Sequence, residues 1–115
     1  NQTSPTSDDL ALAMRLGFEY GCDIVKTVYN DDSEGFARAA SSAHVPIIMA
    51  GGPKSSDDLA IFRQLKEAMT HGACGAAVGR RVWGSPDPGA VLDALRAIIM
   101  DDASVAAAVA IYRGA

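Results

Sequence analysis

The chain has 115 residues, of which 49% are hydrophobic and 21% are charged, and its formal net charge is −4. This composition excludes a disordered chain, and no apolar run approaches the roughly 18 residues that a membrane span needs. The basic residues are scattered and do not interleave with aromatic ones, so neither nucleic acid nor a membrane is expected as a partner. No export signal opens the sequence, and a cytoplasmic protein is expected.

Three short apolar runs recur along the chain and are separated by segments with helical periodicity. The runs are apolar almost without interruption, which is typical of parallel strands covered on both faces. Strands that alternate with helices pair in parallel through right-handed crossovers. We therefore predict an α/β fold whose strands lie within 22–28, 44–50 and 73–79.

Helices are indicated by apolar residues at helical spacing and by capping residues at their starts. The first is predicted from Ser7 to about Tyr20, and a short one over 33–42. A longer helix over 57–71 has Ser55 or Ser56 as candidate caps. The last two helices start at clear signals, which are Asp87 followed by Pro88, and Ser104.

Glycine-rich loops follow the second and third apolar runs. The segment "AGGPK" contains Gly51 and Gly52, and "GRRVWG" begins with Gly79 and Arg80. Glycine lets backbone N–H groups approach an anion, and arginine offers a fork of donors to phosphate oxygens. One such loop could be only a tight turn. Two of them at the carboxyl ends of consecutive strands predict a phosphate site.

A phosphate site of this kind favours a (β/α)₈ barrel over a small doubly wound sheet, because barrels often build it after strands seven and eight. The predicted fold class is therefore α/β, the C-terminal part of a TIM barrel with strands six to eight and their helices. The predicted organisation is one partial domain over 1–115. It has a leading helix at 1–21, β–α units at 22–43, 44–72 and 73–101, and a terminal helix at 102–115.

Lys26 is the only lysine within a predicted strand. Because side chains alternate along a strand, Ile24, Lys26 and Val28 share one face. If this face is the barrel interior, the amine lies beside the phosphate site among apolar neighbours. Such surroundings favour the neutral amine, which can attack a carbonyl carbon. A lysine that reaches the rim, or that only contacts phosphate, is the alternative.

Four segments of the chain together resemble the class I aldolases of the archaeal fructose-bisphosphate type. Related autoinducer-processing aldolase/thiolases and aromatic-precursor synthases share this pattern. The segments, in chain order, are "CDIVKTVY", "VPIIMAGGPK", "GACGAAVGRRVWGSPDPGAV" and "DDASVAAAVAIY".

The resemblance implies an activity and roles for particular residues. Lys26 matches the Schiff-base lysine, and Gly51, Gly52, Gly79 and Arg80 match the groups that hold a substrate phosphate. The implied reaction is cleavage or formation of a C–C bond in a phosphorylated ketose such as fructose 1,6-bisphosphate. The alternatives are one of the related activities, or a non-catalytic phosphate-binding fragment.

Several positions fall outside this pattern. Arg81 stands where the family has asparagine, and Trp83, which could cover the phosphate loop or pack against the last helix, stands where phenylalanine is usual. The family's acid/base tyrosine lies on a strand upstream, and its role is not transferred to Tyr29. His44 and His71 lack a metal-ligand spacing, so neither a metal nor another cofactor is predicted.

Three further expectations concern residues outside the predicted site. Cys22 and Cys74 each begin an apolar run, and we expect both to be small buried hydrophobes in a reducing compartment. Lys54 is expected to be a solvated loop residue, with assistance to a phosphate as the alternative. An open part-barrel leaves strand edges unpaired, so a homo-oligomer is expected.

Overall fold

The computed structural model describes residues 4–52, 57 and 59–114. Within these residues no helix is both long and apolar enough to cross a membrane. In chain order the elements are α1 (Ser7–Glu19), β1 (Val25–Thr27), α2 (Ser33–Ser41), β2 (Ile47–Ala50), α3 (Ala60–Thr70), β3 (Ala73–Ala77), α4 (Arg80–Trp83), α5 (Pro88–Asp101) and α6 (Val105–Tyr112).

The three strands form one parallel sheet in the order β1–β2–β3. The register pairs Lys26 with Ile48 and Ile48 with Gly75, with an irregularity after Ile47. Side chains alternate between the faces of a strand, so buried Val25 and Thr27 point away from the face that carries Lys26. The predicted α/β class with a parallel sheet is confirmed.

The core lies between one face of this sheet and the helices. Its largest fully buried side chains include Met14 of α1, Phe36 of α2, Met49 of β2, and Phe62 and Leu65 of α3. Helices α1, α2, α3 and α5 each contribute several buried residues to it, as expected of amphipathic helices on a sheet. The opposite face of the sheet is open at β1, where Ile24 and Val28 are exposed.

Side-chain caps stand at the starts of α1, α5 and α6. In α1, Thr6 and Asp9 form a capping box, in which each side chain accepts a hydrogen bond from the other residue's backbone N–H. Asp87 caps α5 by accepting from Ala90 N–H, and Ser104 caps α6 by accepting from Ala107 N–H. The caps predicted at Asp87 and Ser104 are confirmed.

The start of α3 differs from the prediction. The helix begins at Ala60, three residues later than expected, because the Asp57 carboxylate accepts a hydrogen bond from Leu59 N–H at 3.0 Å. This local bond favours a turn over a helix. The predicted caps Ser55 and Ser56 lie outside the described residues, as does Lys54.

Helix α4 was not predicted. The segment after Gly79 was expected to be a loop, but the Gly79 carbonyl accepts hydrogen bonds from Val82 and Trp83 N–H and closes a helical turn.

The prediction that both cysteines are buried is wrong, since both are exposed. Cys22 lies in the turn between α1 and β1. Cys74 lies where the pairing of β3 with β2 is irregular, because Ile47 pairs with Ala73 and the next residue of β2 pairs with Gly75.

Candidate active site

A cavity of about 540 Å³ opens at the carboxyl ends of the three strands. Each strand and the residues that follow it contribute to its wall, as barrels and open α/β sheets arrange their ligand sites. All five residues proposed from the sequence as a site line this one cavity. The lining consists of Lys26, Val28, Ala50, Gly51, Gly52, Ala77, Gly79, Arg80 and Trp83.

Lys26 is the middle residue of β1, and its side chain lies on the open face of the sheet. The expected alternation is present, because Val25 and Thr27 on either side are buried against the helices. The expected enclosure among apolar side chains is not, since Lys26, Ile24 and Val28 are all exposed. The helices cover only one side of this three-stranded sheet, and Lys26 is on the other.

Gly51 and Gly52 contribute differently to the cavity. The Gly51 N–H donates to the Ala77 carbonyl at 3.1 Å, so this amide extends the sheet instead of facing an anion. A Cβ on Gly51 would lie 2.7 Å from Val78 Cγ1, which shows that glycine is needed for close packing. Gly52 has φ = 71°, a left-handed conformation that favours glycine, and it lines the cavity. Of the two residues, Gly52 has the amide that is suited to a phosphate.

Arg80 and Trp83 stand at the two ends of α4, on the β3 side of the cavity. Arg80 is exposed, so its guanidinium can reach a ligand. The Trp83 ring lies across Gly79, where a Cβ would come within 2.7 Å of Trp83 Cζ3. Trp83 therefore covers the glycine loop, one of the two positions considered from the sequence. A short extra helix at this place is a common part of barrel phosphate sites.

The contacts of Arg81 are a part of the site region that the sequence did not reveal. Its Nη1 donates to Gln64 Oε1 at 2.7 Å and to the Gly51 carbonyl at 3.4 Å. It therefore connects α4 with α3 and with the end of β2. Gln64 precedes Arg81 by 17 residues, and no local pattern marks such a pair.

Tyr29 points away from the cavity. Its ring is buried against Phe36, and its hydroxyl donates to Glu67 Oε2 at 2.7 Å. Burial raises the pKa of Tyr29, and the hydrogen bond to Glu67 raises it further. Burial by itself would raise the pKa of Glu67 as well, but hydrogen bonds from Tyr29 and Arg63 lower it overall. This network belongs to the helix side of the sheet.

Neither histidine takes part in the cavity. His44 packs edge-on against Phe18, and His71 Nδ1 lies 2.7 Å from the Glu67 carbonyl oxygen. Across 4–52, 57 and 59–114 there is no group of three or more histidine, cysteine, aspartate or glutamate side chains that could hold a metal ion.

The sequence also matches a known protein family. The DeoC/LacD family of aldolases matches residues 1–85. The chain therefore belongs to the DeoC/LacD aldolase family. Its parallel sheet and helices superpose on part of solved aldolase barrels, so the fold is that of a portion of a TIM barrel.

Individual relatives make this placement more specific. A 2-amino-4,5-dihydroxy-6-oxo-7-(phosphonooxy)heptanoate synthase of Streptomyces griseus is 36% identical over 99 residues, which cover 86% of this chain and 36% of the synthase. A class 1 fructose-bisphosphate aldolase of Halobacterium salinarum is 38% identical over 99 residues, which cover 85% of this chain and 37% of the aldolase.

A solved structure of an archaeal fructose-1,6-bisphosphate aldolase has its catalytic lysine covalently bound to the carbinolamine intermediate of the substrate. The chain superposes on it with a TM-score of 0.80 at 32% identity, covering 86% of this chain and 40% of the aldolase. The chain thus spans somewhat more than a third of the length of these relatives.

Proposed function

We propose that this chain carries the nucleophile and the phosphate site of a Schiff-base class I aldolase acting on a phosphorylated ketose such as fructose 1,6-bisphosphate. The observation behind the proposal is the shared cavity, in which Lys26 of β1 faces the same space as Gly52 and Arg80. Imine formation with a phosphorylated ketone requires a primary amine beside a site that binds the phosphate. The aldolase solved with its catalytic lysine bound to the carbinolamine supports this reading.

The proposed chemistry begins at Lys26. Its amine attacks the ketone carbon to form a carbinolamine, and loss of water gives a protonated imine. When a base removes the proton from the hydroxyl on the β-carbon, the bond between the α- and β-carbons breaks. The electron pair of that bond moves into the imine, which becomes an enamine, and an aldehyde leaves. Protonation of the enamine at carbon and hydrolysis of the resulting imine then release the second product and restore the amine.

The phosphate group fixes the substrate for this attack. The Gly52 N–H and the Arg80 guanidinium are the proposed donors to its oxygens, while Gly51 and Gly79 allow the close packing around them. Holding the phosphate places the carbonyl carbon near the amine and removes most of its freedom to rotate. The described lining of the cavity contains no carboxylate, histidine or tyrosine that could act as the base.

A second candidate is an aromatic-precursor synthase, which would use the same lysine with a different acceptor. The observation in its favour is that two synthases match as well as the aldolases do. Besides the Streptomyces enzyme, a 2-amino-3,7-dideoxy-D-threo-hept-6-ulosonate synthase of Halobacterium salinarum is 37% identical over 102 residues. Autoinducer-2 phosphate processing and a non-catalytic phosphate-binding fragment are the remaining alternatives.

Borohydride trapping tests the proposed role of Lys26. The full-length protein is reduced in the presence of dihydroxyacetone phosphate, and the modified residue is found by peptide mass spectrometry. We expect a ligand-sized adduct on Lys26 that is absent in Lys26→Met. Lys66→Met is the matched control, because Lys66 lies on α3 and pairs with Asp102 at 2.6 Å. The amount of adduct on Lys26 in this variant should equal that in the parent. No adduct on the folded parent would refute imine chemistry, whereas product analysis separates aldolase from synthase.

Three expectations about the whole protein remain predictions. They are the cytoplasmic location, the homo-oligomer, and the division into β–α units at 22–43, 44–72 and 73–101. The exposed apolar residues Ile24 and Val28 on the open face of the sheet support the expectation that further protein surface covers it.

A further inference from the structure

Arg81 holds the end of β2 from outside the cavity. It is the second residue of α4, and it does not line the cavity as its neighbour Arg80 does. Its Nη1 is shared between the Gln64 side chain of α3 at 2.7 Å and the Gly51 carbonyl oxygen at 3.4 Å. The Gln64 bond is the shorter of the two, so Gln64 helps to hold the guanidinium in the position from which it reaches the Gly51 carbonyl.

The Gly51 carbonyl and the Gly52 N–H belong to one peptide unit. A trans peptide is planar, so its C=O and N–H bonds point in opposite directions. The Gly51 N–H is already fixed by the Ala77 carbonyl at 3.1 Å. When Arg81 also holds the Gly51 carbonyl on the outer side, the Gly52 N–H is turned the other way, and Gly52 lines the cavity.

We propose that Arg81 is a positioning residue for the phosphate site, which orients the Gly52 N–H toward the cavity through the Gly51 carbonyl. The inference rests on the proposed function and extends it, because it assigns phosphate selectivity to a residue that does not touch the substrate. It also links the two glycine loops mechanically, since Arg81 directly follows Arg80 at the start of α4.

The test compares two ketones that differ by the phosphate. Borohydride trapping of the full-length protein is measured against the concentration of dihydroxyacetone phosphate and of dihydroxyacetone. The preference is the ratio of the two half-saturating concentrations. In Arg81→Met the preference should fall about tenfold, the effect of one hydrogen bond to a charged group. In Gln64→Met the preference should also fall, but by less, because the guanidinium loses one of its partners and keeps its charge.

A parallel measurement does not depend on imine formation. Isothermal titration with inorganic phosphate should show weaker binding in both variants, again by about tenfold in Arg81→Met. Arg81→Lys, which keeps the charge but not the shared geometry, should fall between the parent and Arg81→Met.

Three outcomes would overturn the inference. The first is an unchanged preference in Arg81→Met. The second is an unchanged preference in Gln64→Met together with the full effect in Arg81→Met, which would indicate that Arg81 acts by its charge alone. The third is an equal loss of affinity for both ketones in Arg81→Met together with a lowered melting temperature. A parent that binds phosphate but forms no adduct refutes the Schiff-base proposal, and the titration alone then decides about Arg81. A parent that binds no phosphate overturns the proposed phosphate site and with it the role of Arg81, whereas imine formation at Lys26 is decided by the trapping.

Discussion

Replacing Gly51 by alanine tests the close packing at the end of β2. An ideal Cβ at this position lies 2.7 Å from Val78 Cγ1 and 3.1 Å from Val78 Cα. The side-chain atom could rotate away, but the Cα belongs to the backbone and cannot. The end of β2 and the segment after β3 would have to separate by a few tenths of an ångström, so we expect an overpacking cost of about 1–3 kcal/mol in the free energy of unfolding.

Urea denaturation of the purified full-length protein measures this cost. With a slope of about 1.5 kcal/mol per M urea, a loss of about 2 kcal/mol lowers the midpoint by about 1.3 M. Gly75→Ala is the control in the neighbouring strand, because the nearest atom to its Cβ is Ile48 Cγ2 at an ordinary 3.7 Å. Alanine should be neutral or slightly stabilising there, since glycine is unfavourable within a strand. Equal midpoints for the two variants would show that the reasoning from the Val78 contact is wrong.

Two further predictions concern the helix side of the sheet and the phosphate loop. Because the pKa of Glu67 is lowered in the folded protein, its pairing stabilises the fold above its unfolded pKa, and this contribution is lost as the pH falls through the folded pKa. In Glu67→Gln the urea midpoint should therefore decrease less than in the parent as the pH is lowered from about 7 to about 3. Equal decreases in the two proteins would contradict this. Trp83 is the only tryptophan in these 115 residues and covers Gly79, so its fluorescence should change saturably with inorganic phosphate. The change should be lost in Arg80→Gln, and a signal that persists there would place the phosphate elsewhere.

The sequence was informative wherever a local rule determines the structure. Uninterrupted apolar runs between helical patterns predicted the parallel sheet, and the period of two along a strand placed Lys26 opposite the buried Val25 and Thr27. Asp87 and Ser104 could be identified as caps because capping needs only a suitable side chain within three residues of its partner.

Features that depend on distant partners could not be predicted in the same way. The Gly51 amide was expected to face an anion, but it donates a hydrogen bond to the Ala77 carbonyl because β2 pairs with β3. Helix α4 has only four residues, too few for a periodic pattern. The bond between Gln64 and Arg81 joins two helices, and neither residue type indicates it.

The spacing of the strands explains why a long nucleophile suits the proposed site. Adjacent strands lie about 4.8 Å apart, so β1 and β3 are separated by about 10 Å with β2 between them. The proposed phosphate donors Gly52 and Arg80 follow β2 and β3, whereas the nucleophile is on β1. A serine or cysteine on β1 would leave most of this gap open. The four-carbon stem of lysine carries its amine toward the middle of the cavity, where the carbonyl of a ketone anchored by its phosphate would lie.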